Sequence, residues 1–353
     1  MINTEKMQAY YAAINTRKGF LSFFEDIFYS KNIERRYIIK GGPGTGKSSL
    51  MKKLAARAEN AGKRVDYYYC SSDTSSLDGI IIDAKIAFLD GTAPHTCDTV
   101  LPGVVDEIID LGRFWNAEYL KSHSDKIIRH QKAKRVAYDS AYKYLCAAGD
   151  VLDGRIERIS SCINKKKLEA AIQRICAKEK THISVPCASR VRQTDAFGVR
   201  GRVHLDTLSD RASSRCAVKD YYGSATIFLD SLVRCAERMG IRAHVSLDTV
   251  DPTHISEAFF CDSKTYFYIC EGDPKAADDT VVNMKRFVDN GELAEQRQVL
   301  RALKGTYDVL LGLARESLAS AGSEHEKMER IYMSAMDFDK VVRLSDELWD
   351  KIT

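Results

Sequence analysis

A chain of 353 residues exceeds the size that one hydrophobic core usually serves, so two domains are expected. Its 44% hydrophobic and 29% charged composition excludes a disordered or fibrous chain, and the net charge of +4 is modest. Ten cysteines without a C-x-x-C pair, no signal-peptide layout and no apolar run of bilayer length lead to an expectation of reduced thiols, a cytoplasmic location and no membrane span.

In chain order, "GFLSFFEDIF" at 19–28 has the pattern of a short amphipathic helix, and without a basic polar face it is expected to pack on the first domain. Tyr37 to Lys40 is a β-branched and aromatic run bounded by glycine, and Leu50, Met51, Leu54, Ala55 and Ala58 recur behind it at helical spacing. Strand, loop and helix therefore follow one another. Between them Gly41, Gly46, Lys47 and Ser48 fit G-x-x-x-x-G-K-[ST], the P-loop pattern. Its chemistry is that of an anion cradle: Gly41, Gly42, Pro43, Gly44, Thr45, Gly46, Lys47, Ser48 and Ser49 are expected around the phosphates, offering the backbone N–H groups that all but Pro43 carry, aided by the positive end of the helix. Lys47 is expected on the β- and γ-phosphates of ATP, and the Ser48 hydroxyl on Mg²⁺.

"CSSDTSSLDG" at 70–79 follows the second strand, where Asp73 and Asp78 either orient a water or acceptor hydroxyl or cap a turn. Ile86–Asp90 has the form of a Walker B strand, four apolar residues and then an acid, with Asp90 expected on Mg²⁺ through water. Gly91 follows instead of a glutamate, so the base for hydrolysis is unassigned. His95 either senses the terminal phosphate or is a loop histidine without that duty. Residues 165–202 carry ten Lys or Arg against three acids, a charge of +7 that reads as a solvated connector, with nucleic acid an unfavoured partner.

The second half repeats the first at an offset of about 179: Tyr37–Lys40 falls on Cys216–Lys219, Gly44 on Gly223, Leu50 on Leu229, and the strand 64–70 on 242–248. The strand 86–90 has its counterpart in 266–271, and "GRFWNAEYL" at 112–120 is echoed by "KRFVDNGEL" at 285–293. In this copy Thr226 stands for Lys47, Asp220 and Tyr221 for Gly41 and Gly42, and Ala225 for Gly46, so it is not expected to bind a triphosphate. The boundaries expected are 1–180 for a nucleotide-binding domain with a helical extension, 181–200 for a basic connector and 201–353 for a degenerate copy with its own helical extension.

The runs "TRKGF", "KGGPGTGKSSLMKKLA", "CSSDTSSLDG", "IAFLDGTAPH" and "LPGVVDEIIDLG" resemble an uncharacterised family of bacterial P-loop ATPase-like proteins built as two NTPase-like halves. The resemblance covers roughly the first 120 residues closely and the rest by layout. It implies an α/β P-loop NTPase fold, tandemly duplicated, with parallel sheets flanked by helices and long helical tails, and ATP as ligand; the altered loop at 219–226 departs from it. The function expected is Mg²⁺-dependent ATP binding and hydrolysis by the first half alone, with Lys47, Asp90 and Asp73 as the catalytic set, and with an unknown protein or small-molecule partner. Two alternatives stand beside it. One is a small-molecule or nucleotide kinase with Asp73 as base and Arg190, Arg192, Arg200 and Arg202 closing on phosphates; the other is a non-catalytic, ATP-gated binding protein.

Overall fold

The computed structural model describes residues 8–94, 97–180 and 185–352. The first half runs β1 (Gln8–Tyr11), a hairpin of β2 (Ala13–Thr16) and β3 (Gly19–Ser22), α1 (Phe24–Phe28), β4 (Arg35–Lys40), α2 (Lys47–Asn60), β5 (Val65–Tyr69), β6 (Leu77–Ile82), β7 (Ile86–Asp90) and β8 (Asp106–Asp110). Helices α3 (Ala117–Ser122), α4 (Ser124–Ser161) and α5 (Lys165–Glu179) complete it. The second half repeats this order: β9 (Arg190–Val191), hairpin β10 (Asp195–Gly198) and β11 (Gly201–His204), α6 (Thr207–Asp210), β12 (Ser214–Lys219), α7 (Ser224–Arg238), β13 (Ala243–Leu247), β14 (Ile255–Phe260), β15 (Thr265–Cys270), β16 (Thr280–Asn283), α8 (Asn290–Ala335) and α9 (Phe338–Ile352).

Each half builds one six-stranded sheet, in the order β1-β5-β6-β7-β4-β8 and β9-β13-β14-β15-β12-β16. The sheets are mixed and not parallel as expected, because β6 and β14 run antiparallel to both of their neighbours. The chain reaches β6 from β5, and β14 from β13, through a short turn that leaves no room for a crossover helix, which a parallel pair would need. The strand leading into the glycine loop is correspondingly next to the sheet edge, with β7 and β8 parallel on either side, and β12 has the same place between β15 and β16.

The segment 19–28 is only half helical, since Gly19–Ser22 pairs with β2; Phe24, Ile27 and Phe28 of the short helix are buried. The residues expected to form a basic connector also take part in the fold. Arg190–Val191 pairs with β13, and 195–204 forms the hairpin equivalent to β2–β3, because these segments supply the edge and cover that β1–β3 supply in the first half.

Alternation along the strands gives each sheet two apolar faces. Ile38, Tyr68, Ile81 and Leu89 of the first sheet share one core with Ala217, Phe259, Tyr266 and Tyr268 of the second, so each sheet turns one face to a common core that α1 also joins. On the outer face of the first sheet, Tyr37, Ile39, Ile80 and Phe88 pack with Leu50, Met51 and Leu54 of α2, and also with Leu344 and Leu348 of α9. On the outer face of the second, Val218, Ala258 and Phe260 pack with α7, and also with Leu168, Ile172 and Cys176 of α5. The halves therefore exchange their last helices, and the boundaries 1–180 and 201–353 do not delimit self-contained cores.

The exchange is reciprocal. Trp115 bridges Met336 and Ile163 bridges Val288, each pair antiparallel. Asn116 N donates to Ala335 O at 2.8 Å, and Asp289 N donates to Cys162 O at 2.8 Å. Equivalent residues thus stand 173 positions apart and contact each other's partners, the pattern of a two-fold interface within one chain.

Between these crossings α4 and α8, of 38 and 46 residues, run antiparallel for up to about 57 Å of shared length, at 1.5 Å per residue. Their seam is a heptad: Ala141, Leu145, Ala148, Leu152, Arg155 and Ile159 are buried on α4, and Leu293, Leu300, Ala314, Ala321, Met328 and Ala335 on α8. Leu348 on α9 is fully buried in the core under α2. Leu348→Ala is expected to lower stability by about 2–5 kcal/mol in urea unfolding. A loss under about 1 kcal/mol, the scale of a surface change, would place α9 outside that core.

Candidate functional site

The loop 41–46 leaves β4 beside β7, with Ile39 in register with Asp90. Gly44 and Gly46 take left-handed φ values of +67° and +89°, and Gly46 caps α2 without a side chain, so the first-turn N–H groups of α2 have no side-chain acceptor in the cap. Thr45 is buried and its hydroxyl donates to Gly42 O at 2.8 Å, tightening the turn. Lys47 Nζ folds back over the loop, donating to Gly41 O at 3.1 Å and Gly42 O at 2.8 Å, and stands 3.6 Å from Asp90 Oδ2. The other Asp90 oxygen accepts the Thr92 N–H at 2.8 Å and also the Thr92 hydroxyl. Ser48 Oγ accepts the Leu77 N–H at 3.0 Å, which ties the start of α2 to β6. Pro43 is half-buried and Ser49 exposed.

The structure thus brings Lys47, Asp90, Gly41 and Gly42 together. Asp73 spends its carboxylate on the turn, accepting the Ser75 N–H at 2.9 Å and the Ser75 hydroxyl at 2.7 Å. Asp78 is buried on β6, and His95 lies outside the described residues. Of the arginines considered for phosphate closure, Arg202 is paired with Asp195 at 2.7 Å and Arg192 lies over the Tyr10 ring.

Sequence reasoning missed the cover of the loop. Tyr332, Glu329 and Met333 of α8 lie directly on it: a Cβ on Gly42 would come 2.7 Å from the Tyr332 ring, and one on Gly44 would come 2.7 Å from the backbone oxygen of Glu329. Phe338 of α9 lies beside Gly46, and Trp115 meets Tyr332 edge-on. These glycines consequently serve close helix packing as well as loop conformation. The Glu329 carboxylate lies near the Gly44 N–H; burial and the nearby Asp73 raise its pKa, against the pull of Gly44 and Lys47. Backbone N–H groups of such a loop are donors of the kind that suit an anion. Next to it His325 stands 3.6 Å from Glu329 and 3.3 Å from Lys134 Nζ of α4. Burial and the charges of Lys134 and Lys47 push the His325 pKa down to about 4. The seven-residue spacing of Leu318, His325 and Tyr332 was the available signal, since it puts polar residues on an otherwise apolar stripe.

The corresponding loop in the second half is one residue shorter. The buried face of α7, Phe228, Leu229, Leu232, Val233 and Ala236, matches Leu50, Met51, Leu54, Ala55 and Ala58 at an offset of 178, whereas the strands β4 and β12 match at 179. Lys47 therefore corresponds to Ala225, and Thr226 to Ser48. The register Val218↔Ile269 likewise puts Ile269, and not Glu271, where Asp90 stands. Asp220 fills this loop from within: its two oxygens accept the Gly223 N–H at 2.8 Å and the Ala225 N–H at 2.9 Å, and Arg155 of α4 stands 3.6 Å away.

Among the described residues, Asp153, Asp251 and His254, and Asp195, His204 and Glu257, bring donor atoms within 4.8 Å of one another. Each group already contains a cation, Arg17 on Asp153 and Asp251 and Arg202 on Asp195, so each closes as an ion-pair network. All ten cysteines are free, and no helix among the described residues is long and apolar enough to cross a membrane.

No family model, no curated protein and no solved structure matches this chain.

The fit of α8 on the loop has a direct test. Gly42→Ala is expected to cost about 1–3 kcal/mol through overpacking on Tyr332, and much of that cost should vanish in a Tyr332→Ala background. Additive losses across the four proteins of this cycle in urea unfolding would show that Tyr332 does not rest on Gly42.

Proposed function

We propose that this protein binds ATP with Mg²⁺ at the 41–48 loop and hydrolyses it slowly or on stimulation by a partner. The observation that carries this reading is Lys47, held across a loop whose glycines open the N-terminus of α2 and set against Asp90 on the adjacent strand. Backbone N–H groups from Gly44 to Ser48 and the Lys47 ammonium would hold the phosphates. Ser48 and Asp90 would hold the metal, whose charge offsets that of the phosphates. Bound ATP supplies a phosphoanhydride whose cleavage needs positioning and charge compensation more than covalent chemistry from the protein. In the second half Asp220 occupies the nest and no lysine stands at the position of Lys47, which supports a single site per chain.

The kinase reading has less support, because the Asp73 oxygens are engaged by Ser75 and Arg202 by Asp195. The gated-binding reading draws on a specific feature, the seating of α8 on the loop. Phosphate release separates them: release by the purified protein supports hydrolysis, release only on addition of a metabolite supports the kinase, and binding without release supports the gated module.

Lys47→Ala is expected to abolish ATP binding in a folded protein, since its side chain contacts loop carbonyls and Asp90 and no apolar core. Unchanged ATP affinity by calorimetry would reject the site. Asp90→Asn is expected to keep part of the nucleotide affinity while weakening its dependence on Mg²⁺; an unaltered Mg²⁺ titration would reduce Asp90 to a turn residue. Calorimetry of the parent protein should also give one ATP per chain.

A further inference from the structure

The α4–α8 seam is apolar over most of its length and carries charge at both ends, Arg155 beside Asp220 at one and Lys134 with Glu329 at the end that covers the 41–48 loop. Lys134 and His325 meet there at 3.3 Å, His325 stands 3.6 Å from Glu329, and Glu329 sits directly on Gly44, its backbone oxygen 2.7 Å from where a Cβ would stand and its carboxylate near the Gly44 N–H. Polar groups in a heptad seam cost stability, so their placement calls for a reason. The two-fold relation within the chain makes the contrast explicit. At the offset of 173 that relates the two arms, the counterparts of His325, Glu329 and Tyr332 are Leu152, Ile156 and Ile159, and that of Lys134 is Tyr307. The arm over the second loop carries a different charged group, Arg155 beside Asp220, so a lysine and a carboxylate on the arms face only the loop that carries Lys47.

Its charges match what a polyphosphate would need. Lys47 and Lys134 are cations within electrostatic reach of each other, His325 with its pKa near 4 is an uncharged neighbour that meets the Lys134 ammonium, and the Glu329 and Asp73 carboxylates lie within reach of this group. Burial lowers the Lys134 pKa, Glu329 opposes that and Lys47 adds to it, so a further anion beside Lys134 would favour its charged form.

We propose that Glu329 takes the place of a phosphate oxygen on the glycine loop, and that Lys134, with His325 beside it, is a binding residue for the terminal phosphate of a nucleoside triphosphate that displaces Glu329. This rests on the reading of the loop as a nucleotide site. It makes the site composite, built from the loop of one half and both arms of the helical pair.

The test is calorimetric binding of Mg-ATP and Mg-ADP to the full chain. Lys134→Ala is expected to weaken Mg-ATP about tenfold, the lower end of a charge-assisted contact, and Mg-ADP less than twofold. Lys134→Arg should restore most of the ATP affinity, and circular dichroism should show both variants folded. Glu329→Gln is expected to tighten Mg-ATP severalfold, because an uncharged amide competes poorly for the loop. If the parent binds neither nucleotide, the nucleotide reading itself fails. If the parent binds Mg-ATP but Lys134→Ala leaves it unchanged, or weakens ATP and ADP equally, the role of Lys134 is overturned. If Glu329→Gln leaves the affinity unchanged or weakens it, the displacement by phosphate is overturned.

Discussion

The reciprocal crossing of the two helical arms is the constraint on which the rest of the structure depends. Each sheet has two apolar faces, and its own crossover helix covers only part of the outer one. The remainder is covered by the last helix of the opposite half, brought there by a long arm that runs antiparallel to its partner. Leu344 and Leu348 complete the core of the first half, and Leu168, Ile172 and Cys176 complete that of the second. Burying an aliphatic side chain of this size is worth about 1.5–3 kcal/mol, so neither half retains its full core without the other. The heptad seam sets the register of the arms, and the backbone bonds at Asn116 and Asp289 pin their ends.

The same crossing decides what faces each glycine loop. Because α8 ends in the crossing next to α2, its last turns lie across Gly42 and Gly44, close enough that neither position has room for a side chain. Because α4 ends in the corresponding place, Arg155 lies over Gly223. Both loops present backbone N–H groups to a carboxylate, but the source differs. In the first, Glu329 reaches in from an arm; in the second, Asp220 belongs to the loop itself and is braced by Arg155. A carboxylate from a separate element can leave when that element moves. One that closes its own loop can leave only if the loop reshapes. That difference is the physical ground on which the proposal places a ligand at the first loop and none at the second.

Coupling between a ligand and the arms requires that the arms contact the site differently in its two states. The present contacts supply one of them: an arm carboxylate on Gly44, an aromatic ring on Gly42, and a lysine and histidine in the seam behind. An anion bound at the loop would lie close to the Glu329 carboxylate, and like charges within a few ångströms repel.

By itself the sequence determined the local elements around the loop. Glycines bounded by a β-branched strand and a helix of period 3.6 leave few other conformations, so β4, α2, β5 and β7 were legible, as was the repeat that follows from the same pattern at 214–247. It also identified Lys47 and Asp90, which the fold does set 3.6 Å apart. Tertiary structure decided the rest. Whether β6 runs parallel or antiparallel depends on the short turn 70–76 and on which neighbour is free, and no periodicity carries strand direction. The one-residue shortening of the second loop was invisible to a constant offset and emerged only from the buried face of α7. Lys134, His325 and Glu329 stand 87, 278 and 282 residues from Lys47 in sequence, and they reach it only because an antiparallel helical pair folds back between the halves. Local pattern fixes backbone conformation through short-range sterics and hydrogen bonding, whereas the partners of a loop are set by which distant apolar faces must be buried together.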